Sequence, residues 1–263
     1  MTGSADYFDE MRKPDGGVRD AYAGYCQWFD GQDNALLRRK HAEAETNFRK
    51  TGITFNVYGD GEAEERLIPF DMVPRVITAA EWRKLSRGIE QRVSALNAFM
   101  HDLYHRQEII RAGRIPERLF RNNKAWLPNM VGFTPPGGIY THIVGIDLVR
   151  TGADEFYVLE DNARTPSGVS YMLENREIML QMFPELFADI PIREVSDYPS
   201  WLRRSLASCA PAACLDKPTV AVLTPGTFNS AYFEHSFLAD QMGAELIEGS
   251  DLRVIGGRVA MRT

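Results

Sequence analysis

The stretch from Val158 to Gly168, VLEDNARTPSG, places several chemically active side chains directly after strand-forming residues. Glu160 and Asp161 offer carboxylates, Asn162 offers an amide and Arg164 a guanidinium. A buried strand seldom ends in so many polar groups unless they hold something charged. The pattern therefore indicates a site for an ion or a charged ligand at the end of a strand.

The sequence around this stretch predicts a β-hairpin over residues 141–164. Opposed residues in an antiparallel pair keep a constant index sum, so pairing Thr151 with Phe156 places Asp147 opposite Glu160. Two carboxylates that face each other across a hairpin repel. The pairing is therefore most easily explained if a cation lies between them.

Side chains alternate between the two faces of a strand, which puts Glu160 and Asn162 on the same face as Asp147. The opposite face is predicted to point into a core and carries Ile146, Leu148 and Leu159. A site built from oxygen atoms, without histidine or cysteine, favours magnesium or manganese over zinc. Magnesium held by few protein oxygens usually keeps positions open for phosphates, so the hairpin predicts Mg-nucleotide chemistry. A second interpretation is a solvated strand end whose acids pair with Arg150 and Arg164.

A longer segment, GIDLVRTGADEFYVLEDNARTPSGVSYMLENR, resembles the circularly permuted ATP-grasp family (type 2, glutathionylspermidine synthase-like). The stretches FNVYGDG, IPFDMVPRVI and EWRKLSRGIEQRVSALNAF resemble the same family further upstream. The resemblance implies an ATP-dependent ligase that joins a small-molecule or peptide carboxylate to an amine through an acyl phosphate.

The resemblance also implies roles for individual residues. Asp147, Glu160 and Asn162 would bind Mg²⁺ or Mn²⁺, with Glu160 bridging two ions. Arg164 would be the catalytic residue that stabilises the leaving phosphate or the acyl phosphate. The same four side chains would hold the cofactor ATP by its phosphates. The turn that follows would line the acceptor pocket through Thr165, Ser167 and Gly168.

The surrounding elements predict an α+β fold. An α-rich region with a small hairpin (1–128) precedes the metal-binding hairpin and its following helix (129–195), and a Rossmann-like β-α-β segment follows (216–263). The most regular pattern is a helix over about 79–111, opened by a capping pair of Thr78 and Glu81. The small hairpin is predicted from strands at Ile53–Gly61 and Arg66–Phe70, and a helix from Tyr171–Phe183.

The resemblance covers the first half of the permuted family, in which the metal-binding half precedes a Rossmann-like segment and the lysines that grip the nucleotide. No such lysine stands out before the hairpin predicted at Gly256-Gly257. We therefore expect a truncated form, inactive alone, whose partner is the missing C-terminal half or a companion protein. The alternatives are a non-catalytic pseudo-ligase that binds a partner, and a magnesium-dependent phosphohydrolase.

Composition narrows the class of protein. The chain has 263 residues, a net charge of -6 and three cysteines. The negative charge argues against nucleic acid as a partner. No apolar run approaches the roughly 20 residues of a membrane span, so no membrane partner is expected. The few cysteines favour a cytoplasmic protein.

Two further motifs invite a site assignment. HDLYH, from His101 to His105, has the spacing of the zinc helix HExxH, but both histidines lie off the apolar stripe and are interpreted as solvated. The loop TPGTFN, from Thr224 to Asn229, lies between a strand and a helix, where anions bind. It lacks the GxGxxG pattern, so a tight connection is the preferred interpretation.

Overall fold

The computed structural model describes residues 7–58, 63–188 and 190–262. It divides into two compact units, described separately below. The hairpin unit comprises the described part of Met1–Glu10 together with Ile77–Pro166. The second unit comprises the described part of Met11–Val76 and Ser167–Thr263. The predicted division at 1–128, 129–195 and 216–263 stays a prediction.

The helices, in chain order, are α1 (Ala23–Asp30), α2 (Asn34–Thr51), α3 (Ala79–Tyr104), α4 (Glu108–Arg111), α5 (Arg118–Arg121), α6 (Val169–Met182), α7 (Pro184–Ala188), α8 (Tyr198–Ser208) and α9 (Tyr232–Met242). The strands are β1 (Thr54–Tyr58), β2 (Ala63–Leu67), β3 (Gly145–Arg150), β4 (Phe156–Asn162), β5 (Ala221–Leu223), β6 (Glu245–Ile247), β7 (Leu252–Ile255) and β8 (Arg258–Met261). Each sheet within the described residues has two strands. The fold is thus helix-rich α+β, as predicted.

The long helix α3 organises the hairpin unit. The predicted cap is present: the Thr78 hydroxyl accepts from the Glu81 N–H at 3.3 Å, and the Glu81 carboxylate accepts from the Thr78 N–H at 2.8 Å. The predicted end at residue 111 is wrong, because α3 stops at Tyr104 and a separate turn, α4, follows. Gln107 adopts a positive φ of 55° between the two helices.

Asp102 explains this break. Its carboxylate accepts hydrogen bonds from the N–H groups of Glu108 and Ile109, both at 2.9 Å, and so caps α4. The Ile109 and Glu108 hydrogen bonds outweigh desolvation and lower the pKa of Asp102. The Asp102 carboxylate therefore caps α4. It does not act as a third metal ligand beside His101 and His105.

The histidines of HDLYH make local contacts. Their rings stack with centroids 4.2 Å apart, and His105 lies 3.1 Å from the Thr134 hydroxyl. His101 is exposed and His105 half-buried, so the expectation of a fully solvated pair holds for the first residue only. Within the described residues no group of three His, Cys, Asp or Glu side chains is placed to hold a metal ion.

Replacing both histidines by alanine is expected to change the free energy of unfolding by about 1 kcal/mol or less, since water replaces the hydrogen bonds they lose. Urea unfolding of the wild type and the double variant measures this. Stoichiometric zinc in the purified wild type, absent from the double variant, would show instead that the pair is a metal site.

The core of the second unit forms around α2 and α6. The fully buried side chains Phe48, Ile53 and Phe183 lie in one cluster with Tyr22, Leu37 and Ile178. The Lys40 ammonium caps the end of α6 by donating to the Met182 carbonyl at 2.6 Å and to Glu185 at 2.8 Å. These contacts fix α6, whose first turn continues from the TPSG sequence.

The small hairpin is shorter than predicted. β1 and β2 pair antiparallel with Thr54 opposite Leu67, and the predicted Gly-Asp-Gly turn lies outside the described residues. The second strand runs from Ala63 to Leu67, so both ends lie three residues before the predicted Arg66 and Phe70. Pro69 has no N–H to donate, which ends the ladder there.

The C-terminal part contains the predicted β-α-β unit. β5 and β6 pair in parallel, with Val222 opposite Leu246 and α9 between them in sequence. β7 and β8 form the predicted hairpin, whose turn residues Gly256 and Gly257 have φ of 57° and 73°. Two positive φ values in succession define the tight turn that glycine permits.

The loop TPGTFN is fixed by close contacts of Thr224 and Gly226. The Thr224 hydroxyl is buried, lies 2.9 Å from His235 Nδ1 and accepts from the Gly226 N–H at 3.2 Å. Gly226 has a φ of 106°, and a Cβ there would lie 3.1 Å from a Glu248 oxygen. This arrangement is a tight connection, the interpretation preferred from the sequence.

A search of the described residues finds no helix with the length and apolar character needed to cross a membrane.

Candidate metal-binding hairpin

The β3–β4 hairpin places Asp147 directly opposite Glu160, as predicted. The assumed turn register is wrong, however, because Phe156 pairs with Arg150 and not with Thr151. A β-bulge after Asp147 restores the predicted pair: Leu148 faces Val158, and Leu159 is the extra residue. The bulge shifts one strand by one position, which compensates for the error at the turn.

Asn162 joins the two carboxylates. Its Nδ2 lies 3.3 Å from Asp147 Oδ1 and 3.3 Å from Glu160 Oε1. Both carboxylates are exposed and Asn162 is half-buried. The three side chains that the sequence placed on one face therefore converge at one end of the hairpin.

The donor set of this cluster suits a hard cation. Two carboxylates and an amide are the oxygen ligands that magnesium and manganese take. Rotation of the Asn162 amide by half a turn exchanges its nitrogen for Oδ1, which turns a donor to the carboxylates into a third oxygen ligand. The residues present thus fit a divalent metal, with the remaining positions open.

The competing interpretation required the acids to pair with Arg150 and Arg164. Within the described part of the chain, neither Asp147 nor Glu160 contacts a cationic side chain. Arg150 instead contacts Glu81 and Glu10. Among the described residues, the two opposed carboxylates therefore have no cationic side chain as a partner.

Arg150 lies in an enclosed site of its own. Its side chain is 8% exposed and donates to Glu81, to Glu10 at 3.4 Å and to the Ala153 carbonyl at 2.8 Å. Its guanidinium also lies over the ring of Phe156, 5.1 Å from the centroid. This cluster ties the turn end of the hairpin to the first turn of α3.

Burial opposes ionisation of Glu81, but the Thr78 hydrogen bonds and the Arg150 charge outweigh it and lower the pKa of Glu81. A lowered pKa in the folded state stabilises the fold above the unfolded value of 4.5, and this contribution is lost as the pH falls further.

Two further contacts hold the end of the hairpin that carries Asp147 and Glu160 against α3. Arg92 donates a bidentate pair of hydrogen bonds to Asp161, each at 2.6 Å, and these lower the pKa of Asp161. Asn97 accepts from the N–H groups of Tyr140 and Thr141 at 2.7 and 3.0 Å, just before β3. Because Asp161 lies between Glu160 and Asn162 in sequence, its anchoring fixes the strand that carries both of these candidate ligands.

The face towards α3 is only partly as predicted. Ile146 and Leu148 are half-buried and line one groove with Leu85 and Ile89 of α3. Leu159 is 70% exposed, so its predicted place in the core is wrong. As the extra residue of the bulge it leaves the regular alternation on which that prediction depended.

The segment after β4 carries the remaining predicted site residues of the hairpin unit. Arg164 and Thr165 are exposed, and among the described residues Arg164 has no ion-pair or hydrogen-bond partner. Pro166 packs back on β3 so closely that a Cβ on Gly145 would lie 3.0 Å from the Pro166 Cβ. Glycine at 145 is therefore what allows this segment to lie beside the strand.

Ser167 and Gly168 belong to the second unit. Ser167 is exposed, and Gly168 is the N-cap of α6 with a φ of 105°. Glu234, which accepts from the Gly168 N–H, was not predicted from the sequence, and neither were the roles of Arg92, Asn97 and Gly145. The alternation of side chains along β4 places Asp161 on the face towards α3. The sequence does not indicate which residue of α3 contacts it.

Comparisons with known proteins identify relatives of this chain. A family model described as circularly permuted ATP-grasp type 2 matches residues 74–263. The chain is 46% identical over 258 residues to an uncharacterized protein of Synechocystis sp., covering 98% of this chain and 53% of that protein. It is 48% identical over 256 residues to an uncharacterized protein of Mycobacterium tuberculosis, covering 97% and 46%.

A third relative, from Frankia casuarinae, is 37% identical over 262 residues, covering 97% of this chain and 29% of that protein. Its name provisionally assigns it as glutamate–cysteine ligase 2-2. The chain thus spans about half the length of the Synechocystis and Mycobacterium relatives.

Proposed function

This chain belongs to the circularly permuted ATP-grasp type 2 family, and from that premise we propose that it carries the metal-binding site of an ATP-dependent carboxylate–amine ligase. The observation that carries the proposal is the convergence of Asp147, Glu160 and Asn162 at one end of the β3–β4 hairpin. Asp147 and Glu160 contact no cationic side chain among the described residues, and opposed like charges favour a divalent metal ion between them.

Asp147, Glu160 and Asn162 would hold Mg²⁺ or Mn²⁺ through oxygen atoms. When bound, the metal neutralises charge on the phosphates of ATP during transfer. α3 supports these ligands from behind through the Arg92–Asp161 pair. The protein therefore presents the ligands on an anchored strand, which reduces the ordering cost of binding.

Arg164 would act on the phosphoryl group itself. Its side chain is exposed and free of ion pairs within the described residues. A guanidinium offers a planar fork of donors that matches phosphate oxygens. We assign Arg164 as the group that stabilises the transferred phosphate, first on ATP and then on the acyl phosphate.

The reaction would proceed in two balanced steps. The substrate carboxylate attacks the γ-phosphorus of ATP, which forms an acyl phosphate and releases ADP. The amine then attacks the acyl carbon and loses a proton as the C–N bond forms, and phosphate leaves as the C–O bond breaks. The exposed residues Thr165 and Ser167, with the half-buried Gly168, would bind the substrate carboxylate, which is the acceptor of the phosphoryl group.

The name of the Frankia relative suggests the first substrates to test, L-glutamate as the acid and L-cysteine as the amine. The assay incubates the protein with Mg-ATP and both amino acids, and measures ADP and the amide product. It uses the 263-residue chain and the same chain joined to the remaining part of the Synechocystis relative, since that relative is about twice as long.

We expect the joined form to make ADP in a reaction that requires both amino acids and the metal, and we expect its Glu160→Gln variant to make none. ADP release that proceeds without any amine would support a magnesium-dependent phosphohydrolase instead. Neither ADP nor amide from either form, with a range of acids and amines, would support a non-catalytic binding protein. Full activity of the 263-residue chain alone would show that the remaining part of the Synechocystis relative is not needed for the reaction.

A further inference from the structure

Glu234, on α9 of the second unit, is a buried carboxylate that the proposed chemistry does not use. Glu234 is buried, with 5% of its surface exposed. Its Oε2 accepts from the Gly168 N–H at 2.7 Å and from the Ser170 hydroxyl at 2.6 Å. No lysine or arginine of the described residues contacts Glu234. The Gly168 N–H and the Ser170 hydroxyl therefore stabilise its negative charge.

Burying a carboxylate is costly unless donors compensate for the water it loses. Two short hydrogen bonds to an ionised oxygen are of the strong, charge-assisted kind. Gly168 is also the N-cap of the 14-residue helix α6, where the helix dipole favours a negative charge. Glu234 is therefore stabilised by the start of α6, and in return it fixes the backbone at that point.

The carboxylate also acts on its surroundings. Burial, and then the negative charge of Glu234, raise the pKa of Tyr171 and of Tyr198. Ser170 is fully buried, at 0% exposure, so its hydroxyl has little choice of partner. Glu234 thus holds Gly168 and Ser170, the residues that follow the exposed Ser167 in the chain at the start of α6.

We propose that Glu234 is a positioning residue that presets Ser167 and Gly168 for the carboxylate substrate, a proposal that rests on the function proposed above. Glycine explores positive and negative φ with similar ease. The bond from its N–H to Glu234 selects the conformation with φ of 105°. The polar atoms of Ser167 and the backbone beside it are then presented to the substrate without a further ordering cost.

The test follows the amide resonances of Ser167 and Gly168 in ¹⁵N-labelled protein during titration with L-glutamate in the presence of Mg-ATP. The variant Glu234→Gln keeps an acceptor of the same size but removes the charge. The matched control is Asp240→Asn, which removes the same charge from an exposed position on the same helix. Thermal unfolding of each protein checks that it is folded.

We expect the Gly168 N–H to lose its downfield, charge-assisted shift in Glu234→Gln and to keep it in Asp240→Asn. Glutamate should perturb Ser167 and Gly168 in the wild type, with an apparent Kd about tenfold weaker in Glu234→Gln and unchanged in the control. A residue with a merely structural role would change the unfolding temperature but leave the Kd of the folded protein unchanged.

If Glu234→Gln does not fold, Ser170→Ala removes one of the two donors and is expected to weaken glutamate binding in the same direction. Unchanged affinity in a folded variant, or no response of Ser167 and Gly168 to glutamate, would overturn the proposal. Those outcomes leave metal binding and ADP formation intact, because Asp147 and Glu160 do not depend on Glu234. Absence of ADP formation from the chain joined to the remaining part of the Synechocystis relative would instead count against the proposed function.

Discussion

Replacing Arg150 by methionine is expected to lower the free energy of unfolding by about 3 to 5 kcal/mol, the usual cost of removing one partner from a buried ion pair. The variant leaves Glu81 and Glu10 without their shared cation and removes the donor to the Ala153 carbonyl. The long side chain of methionine preserves most of the packing against Phe156, so the loss reports on charge and hydrogen bonds.

Urea unfolding of the wild type, Arg150→Met and Arg83→Met measures this effect. Arg83 lies on the exposed face of α3, and its substitution should change stability by about 0.5 kcal/mol or less. Below pH 4.5 the free energy of unfolding should also fall less steeply for Arg150→Met than for the wild type. Arg150 contributes to the lowered pKa of Glu81, so its removal reduces the acid-dependent loss of stability. Equal effects of the two substitutions would contradict the assigned role of Arg150.

Glu160→Gln is expected to abolish stabilisation of the protein by divalent metal. For the wild type, Mn²⁺ at about 100 times its Kd should raise the free energy of unfolding by about 2.7 kcal/mol. The variant should gain nothing, since a neutral amide replaces the carboxylate opposite Asp147. Without metal the variant should be as stable as the wild type or slightly more so, because opposed like charges destabilise a hairpin.

Glu155→Gln is the matched control for this experiment. Glu155 is an exposed carboxylate in the turn of the same hairpin, so the variant has the same net charge as Glu160→Gln. It should keep the full metal-dependent gain in stability. An equal loss in both variants would show that metal responds to the total charge of the hairpin and not to a site.

The pairing of Asp147 with Glu160 shows how much of the site was predictable. Composition and alternation identified the hairpin and its polar face, but the turn register was off by one residue. The bulge at Leu159 corrected that error, and no residue in the sequence signals it. A local irregularity of this kind depends on how the strands pack on α3, which the strand sequence does not contain.

Arg150 illustrates a signal that was present but unused. Counting along β3 places Arg150 on the face of Ile146 and Leu148, opposite to Asp147. It therefore could not pair with the metal-site acids, and it meets Glu81 of α3 instead. In contrast, the Gly168–Glu234 contact joins residues 66 positions apart, and only the folded second unit brings them together.

The end of α3 followed from competition between local contacts. The apolar spacing defines the helix as far as Leu103 but does not mark its end, for which the sequence predicts about residue 111. Asp102 instead uses its carboxylate to cap a new turn at Glu108 and Ile109. Caps of this kind are set by side-chain geometry, so periodicity alone does not locate them.

The central claim is that Asp147, Glu160 and Asn162 form a divalent-metal site, and titration with Mn²⁺ followed by electron paramagnetic resonance tests it most directly. The wild type and Glu155→Gln should remove free Mn²⁺ in a saturable manner, and Mg²⁺ should displace the bound ions. Glu160→Gln should leave the Mn²⁺ signal as it is in buffer. Saturable binding of equal affinity in Glu160→Gln, or none in the wild type, would contradict the account.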